Sequence, residues 1–349
     1  MMFFRVPCPR TFLLLPLALL LAGTLSAKPP PVAFEKPPPL PPLPPLPALH
    51  GIYPRPAANW LEAQIALARR DFSSGAIDGK VGAQTLAALR AWQRNEDLPE
   101  TAALDAATQE RLQLDTPPLT TRTVTEEDLA MLLPLSPTWL GKSRQTALSW
   151  ETVLEMVAEQ AQADPAFLRQ INPGVDWDHV APGAVFTVPD VAPPAGAPER
   201  VRGRERVRSK AARVQIHLET RTLQARDADG KLLAHFPVSI ARNVGKRPVG
   251  ELHVTVVIHR PDYTFDPATF PESAEARELG RKLILPPGPN NPVGLVWVGL
   301  DRPGYGIHGT PEPEKVGRTE SHGCFRLANW NALALLDLVG TGTPVEVIE

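Results

Sequence analysis

The run Ser321-His322-Gly323-Cys324-Phe325-Arg326, preceded by Ile307-His308-Gly309-Thr310, puts a thiol and two imidazoles into one short stretch of chain. A thiol attacks as thiolate, so a working cysteine needs an imidazole or a helix N-terminus to take its proton or hold its charge. His308 and His322 both qualify by position. Thiol acyl transfer asks for three parts: a base, a group that holds the base, and donors for the oxyanion. His308 is the expected base. It lies thirteen residues before Ser321, enough to reach back across a sheet edge, and Gly309 beside it lets a backbone carbonyl approach the imidazole closely. Gly323 removes a side chain beside the nucleophile, so the N–H groups of His322, Gly323 and Cys324 are expected to converge on a developing oxyanion. Arg326, one strand step beyond Cys324 on the same face, would order the pocket or meet a substrate carboxylate. Ser321 would bond within the turn or help to hold His308.

The other cysteine, Cys8, sits in a leader-like segment, residues 1–27, where Arg5 and Arg10 precede the apolar stretch Phe12 to Ala22 and small residues end at Ala27. That order is the pattern of a secretory signal, and the apolar run is short for a membrane span. A retained anchor is the rival reading. Loss of Cys8 would leave Cys324 with no disulfide partner, and a lone thiol in an oxidising compartment is a liability unless it is buried or used. Export to the periplasm or cell wall is therefore expected, with no stable membrane span after cleavage. A net charge of -2 over 349 residues gives no electrostatic case for nucleic acid as a partner. A zinc site made of His308, His322 and Cys324 lacks a fourth ligand at a familiar spacing, and His253 and His259 stand too far apart to hold one ion without another strand. No metal and no cofactor is expected.

The elements that must position this cluster divide the chain into parts. Residues 28–56 are proline-dominated, as in KPPPLPPLPPLP, and should run as an extended polyproline spacer. From Asn59 the period turns helical: Leu61, Ile65, Ala68 and Phe72 share one face, Leu86, Leu89 and Trp92 the next, and Leu104 to Leu112 makes a third short helix with Asp105 at its start. A three-helix unit at 57–115 follows. A second small unit at 143–190 has helices around Val153 and Val157 and at Phe167 to Ile171, then a strand at Gly183 to Pro189. A basic linker covers 191–211. After Arg213 the period changes to two, with strands expected at 213–219, 222–227, 232–240, 251–259, 294–299 and 343–348, and one helix from about Trp330 to Val339 capped by Asn329. A long insertion lies between Arg260 and Pro292, and long ordered loops in compact domains are usually functional. The fold class expected is a multidomain α+β chain whose mostly-β C-terminal domain spans 212–349.

The histidine segment at 308–310 and the Ser321 to Arg326 run together resemble the L,D-transpeptidase (YkuD/ErfK-type) family, as do Arg247-Pro248-Val249-Gly250 and the proline- and asparagine-rich run at 286–294. The string IDGKVGAQTLAALRAWQ, Ile77 to Gln93, followed by Leu104 to Leu112, resembles a helical peptidoglycan-binding domain, with Ala102 where that family has a glycine turn. Leu168 to Asp190 looks like the second half of a LysM glycan-binding module, while Trp150 and Glu151 depart from its first half. The resemblance implies a sandwich-like catalytic domain whose cysteine attacks the amide before the terminal D-residue of a peptidoglycan tetrapeptide stem and releases D-alanine. The acyl group then passes to a diaminopimelate amine, giving a 3,3 crosslink, to a lysine of a lipoprotein, or to water. It also implies that the 260–292 insertion is a lid, with Tyr263 lining the cleft. Papain-like wall hydrolases place their cysteine before their histidines, and sortases lack the His-Gly before it. A wall-binding scaffold with a spent catalytic fold is the non-enzymatic alternative, against which an intact Cys324 and His308 argue.

Overall fold

A computed structural model describes residues 51–191, 210–269, 273–321 and 323–349. The leader-like segment, the spacer up to residue 50, the basic linker at 192–209 and His322 lie outside the described residues.

The helical domain runs β1 (Arg55–Pro56), α1 (Trp60–Ala68), α2 (Ala83–Asn95), α3 (Ala106–Arg111) and β2 (Gln113–Leu114), with β2 antiparallel to β1. Asn59 caps α1 by accepting from Glu62 N–H at 3.0 Å, and Asp105 caps α3 by accepting from Thr108 N–H at 2.9 Å. Leu67, Leu89, Trp92 and Leu112 bury their side chains together in its core. Ala102 keeps a glycine-like turn with a φ of +52°, and its N–H is held by Gln93 Oε1 at 2.9 Å. That left-handed backbone is unusual for a residue with a Cβ, and the buried glutamine amide offsets its strain.

The middle module comprises β3 (Leu119–Thr123), α4 (Glu126–Ala130), α5 (Trp139–Lys142), α6 (Val153–Gln160), α7 (Pro165–Ile171) and β4 (Val185–Pro189). Its two strands pair antiparallel from Leu119 opposite Pro189 to Thr123 opposite Val185. The strand that completes the module therefore precedes the expected 143–190 span. LTTRT carries only one buried side chain, Leu119, so it shows no apolar alternation to read. Asn172 ties α7 to β4, donating to Thr187 O and accepting from Thr187 N–H, both at 2.8 Å.

The C-terminal domain contains β5 (Arg213–His217), β6 (Thr222–Arg226), β7 (Leu232–Pro237), β8 (Gly250–His259), β9 (Tyr263–Phe265), α8 (Ala274–Leu279), β10 (Leu283–Leu285), β11 (Val296–Leu300), β12 (Gly306–His308), β13 (Phe325–Arg326), α9 (Asn329–Leu338) and β14 (Pro344–Ile348). Among the described residues eight strands form one sheet in the order β13-β12-β11-β8-β14-β5-β6-β7, while β9 and β10 make a separate hairpin within the insertion. Bridges from Ser239 to Arg326 and from Ala241 to Ser321 join the chain beyond β7 to the β13 end, so the sheet curls back on itself. Period-two alternation explains the core: Val214 and Ile216 of β5 are fully buried, as are Leu223, Val298 and Val345, and α9 packs Leu335 and Leu338 among them. Asn329 does not cap this helix. Ala328 holds the cap position without a side-chain bond, and the Asn329 side chain turns instead toward the loops around β12.

Candidate active site

β12 and β13 run parallel, with Ile307 opposite Phe325 and His308 opposite Arg326. Ile307 and Phe325 are both buried in the sheet's core. On β11, Trp297 lies opposite His308, and the two rings stack with centroids 5.8 Å apart. Gly306 makes that packing possible, because a Cβ there would come within 2.6 Å of the indole. Trp297, His308, Ser321, Gly323, Cys324 and Arg326 all face one cleft of about 870 Å³.

His308 is buried, and Gly309 O accepts from its Nδ1 at 2.6 Å. A carbonyl only accepts, so Nδ1 carries the proton and Nε2 keeps its lone pair. Burial, and to a smaller degree the Arg326 charge, lowers the imidazole pKa to about 4 although the Gly309 bond opposes the shift. The ring is therefore neutral at pH 7. Cys324 lies just before β13, half-buried, with its thiol donating to Gly304 O at 3.4 Å. Burial pushes the thiol up, while the Gly306 N–H and the Arg326 guanidinium pull the other way. The resting arrangement is a neutral thiol and a neutral imidazole lining the same cleft.

Ser321 bonds within the turn: its hydroxyl donates to Cys324 O at 2.5 Å and accepts from Gly323 N–H at 3.3 Å. The Gly323 N–H, expected to face an oxyanion, is engaged by the Ser321 hydroxyl in this resting arrangement. Ser321 is itself pinned by its N–H to Ile240 O at 2.8 Å and by Arg242 N–H to its carbonyl at 3.0 Å. Arg326 is half-buried, with Nη1 at 3.5 Å from Glu320 O, and its backbone exchanges two bonds with Ser239. Tyr263 of the insertion lines the cleft, its phenol pushed up chiefly by burial and then by the nearby Cys324. Gly309 is packed so tightly that a Cβ would fall 2.1 Å from Asn329 Oδ1. Among the described residues no group of three or more histidine, cysteine or carboxylate side chains could hold a metal ion.

One wall of the cleft went unread in the sequence. Trp139 and Lys142 of α5 line it from outside the C-terminal domain. Glu275 of α8 accepts from the Trp139 and Leu140 N–H groups, both at 3.0 Å, and the Trp139 ring stacks on Phe265 at 4.3 Å. The insertion is thus bound to the middle module. A four-residue helix has no period to detect, and a glutamate capping a helix more than a hundred residues away leaves no local signal.

A family described as "L,D-transpeptidase catalytic domain" (YkuD) matches residues 211–347, and one described as "Putative peptidoglycan binding domain" matches residues 56–112. "Putative L,D-transpeptidase YkuD" of Bacillus licheniformis is 26% identical over 194 residues, which is 56% of this chain and 92% of the relative. "Putative L,D-transpeptidase YqjB" of Bacillus subtilis is 31% identical over 126 residues, 35% of this chain and 62% of the relative. A solved L,D-transpeptidase from Mycobacterium smegmatis superposes with a TM-score of 0.32 at 21% identity, covering 49% of this chain and 76% of that one. Set beside the cleft, the family matches make residues 211–347 similar to the YkuD family of L,D-transpeptidase catalytic domains and residues 56–112 similar to a peptidoglycan-binding domain family.

Proposed function

We propose that the protein is an exported, cysteine-dependent L,D-transpeptidase of the cell wall. Cys324, its proton taken by His308 Nε2, attacks the carbonyl carbon of the amide before the terminal D-residue of a tetrapeptide stem. A C–S bond forms, the C–N bond breaks, and the imidazolium returns its proton to the departing D-alanine amine. An amine then attacks the thioester, forming a new C–N bond and releasing the thiol. A diaminopimelate amine gives a 3,3 crosslink, and a lipoprotein lysine gives an anchored protein. Arg326 meets a substrate carboxylate, Tyr263 lines the stem's path, and the helical domain holds the enzyme on peptidoglycan. An oxyanion hole drawn from residues 322–324 requires Gly323 N–H to leave the Ser321 hydroxyl as the acyl group enters.

The observation that carries this reading is the convergence of Cys324, His308 and Arg326 on one cleft in a chain that also bears a peptidoglycan-binding domain. Intact-mass measurement after exposure to a carbapenem tests it. One covalent adduct is expected on the wild-type chain and none on Cys324→Ala. A wild-type chain that takes no adduct would leave the scaffold reading standing. Crosslink profiles of walls made with and without the protein identify the acceptor.

A further inference from the structure

The Gly309–Thr310 peptide is held from both sides. Its carbonyl accepts from His308 Nδ1 at 2.6 Å, and its N–H, that of Thr310, donates to Asn329 Oδ1 at 3.1 Å. Asn329 is fully buried and engages both ends of its amide. Oδ1 also accepts from Leu295 N–H at 3.1 Å, while Nδ2 donates to Pro289 O at 3.2 Å and to Glu159 Oε2 at 2.8 Å. The partners dictate the orientation of this amide, since two N–H donors face its oxygen and two acceptors face its nitrogen. Glycines at 294 and 309 let it in, for a Cβ at either would lie 2.0 or 2.1 Å from Oδ1. Glu159 belongs to α6 of the middle module, 170 residues away along the chain.

A carboxyl oxygen that accepts from an amide N–H, ionised or not, polarises the amide and strengthens its oxygen as an acceptor, and the next peptide is polarised in the same sense. The peptide plane also transmits geometry. With its N–H tied to Asn329, its carbonyl is aimed at Nδ1, and a carbonyl there admits one histidine tautomer. We propose that Glu159 and Asn329 are positioning residues for His308: a side chain of the middle module, acting through one buried amide and one peptide plane, holds the imidazole with Nε2 ready for the Cys324 proton. The inference rests on the acyl-transfer reading for its purpose, and it makes the middle module part of the catalytic unit.

The test uses the full chain and two probes, iodoacetamide and a carbapenem, with the rate of Cys324 modification followed by intact mass from pH 5 to 9. Iodoacetamide reports the reactivity of the thiol whatever the natural substrate is. Glu159→Ala is expected to slow both reactions about tenfold at pH 7, on the order of one buried hydrogen bond, and to move the pH profile toward that of His308→Ala. Glu159→Gln keeps an acceptor of the same reach and should stay within about threefold of wild type. Where Glu159→Ala does not fold, Glu159→Asp, which withdraws the carboxylate by one methylene, makes the same comparison and should fall between the other two. A variant with a lowered Tm but wild-type rates and pH profile below that Tm would make the contact purely structural and overturn the proposal, as would a Glu159→Gln chain as slow as Glu159→Ala. If the wild type takes no carbapenem adduct but the iodoacetamide rates keep the expected order, the transpeptidase reading fails and the positioning role stands.

Discussion

The helical domain and the middle module both grip the catalytic domain, and they reach different parts of it. The helical domain uses main chain: His235 N–H donates to Asp71 O at 2.9 Å and Ser73 N–H to His235 O at 2.8 Å, so residues 71–73 run alongside β7 and cover part of an otherwise open edge. The middle module also makes two main-chain bonds, Leu148 N–H to Pro287 O at 3.0 Å and Asn290 N–H to Leu148 O at 2.9 Å, and it adds buried side chains to them. Asn290 donates to Ser149 O at 2.9 Å and to Glu155 at 2.5 Å, Asn329 donates to Glu159 at 2.8 Å, and Gly288 passes close enough to Leu148 O that a Cβ would lie 2.1 Å from it. A main-chain ladder asks only for extended backbone and tolerates many side chains. A buried amide facing a carboxylate depends on both identities. The first attachment completes a sheet, while the second reaches the loops that carry His308.

The contrast can be pressed hardest at its catalytic end. His308→Ala removes the group on which the middle-module contacts converge, and carbapenem acylation at pH 7 is expected to fall by about 10²–10⁴, recovering in part at high pH where the thiol ionises unaided. Equal rates at neutral pH would move the base to His322. Because burial lowers the His308 pKa to about 4, the wild-type rate should hold its base-competent form down to near that pH. An acid limb centred on the ordinary histidine value would show that the ring is more solvated than its burial indicates.

Asn290→Ala comes next. It leaves the Glu155 carboxylate and Ser149 O without their shared donor, and urea unfolding should report a loss of about 1–3 kcal/mol. A loss within error would mean that the middle module does not depend on its side chains.

The two attachments should also differ in the sign of their pH dependence. His235 is buried and its pKa is lowered to about 3, mainly by burial and further by His217, Arg94 and Arg226. Its stabilisation is complete above the unfolded value near 6.5 and is lost as pH falls toward 3. Burial raises Glu159 to about 7 against the Asn329 bond, so its contribution is complete below about 4.5 and is lost as pH rises through 7. Between these limits each contributes up to about 1.4 kcal/mol per pH unit, with opposite sign. Relative to wild type, His235→Gln should make stability fall more steeply with rising pH, and Glu159→Gln should make it fall more steeply with acidification. Tm series at pH 5 and 7 decide it, and parallel shifts in the two variants would dissolve the distinction.

The smallest effect is expected on the helical side. Asn95→Ala removes the acceptor for Leu232 N–H at 2.9 Å and should cost about 0.5–1.5 kcal/mol, less than Asn290→Ala. A larger loss there would mean that side chains matter equally at both attachments.

Much of the fold was legible because its signals are local. Strands β5, β6, β8 and β14 fall close to the expected spans, since alternation over five or more residues marks a half-buried strand. Asp105 caps α3 as its position before the helix suggests. β12 and β13, of three and two residues, are too short for any period, although they carry His308 and Arg326. Asn329 misled for a physical reason: an asparagine before an apolar helical run has the form of a cap, but its amide is drawn away by backbone donors at Leu295 and Thr310. The start of the middle module was missed because β3 presents mostly polar side chains.

The sequence by itself determined which residues could do the chemistry and which segments form helices and strands, because nucleophile, histidine, capping and alternation signals are written within a few residues of one another. Only the tertiary structure decided that α5 walls the cleft, that the Ser321 hydroxyl occupies the Gly323 N–H, and that Glu159 reaches Asn329 across 170 residues. Those contacts depend on how separately folded surfaces dock, and docking leaves no period in the chain.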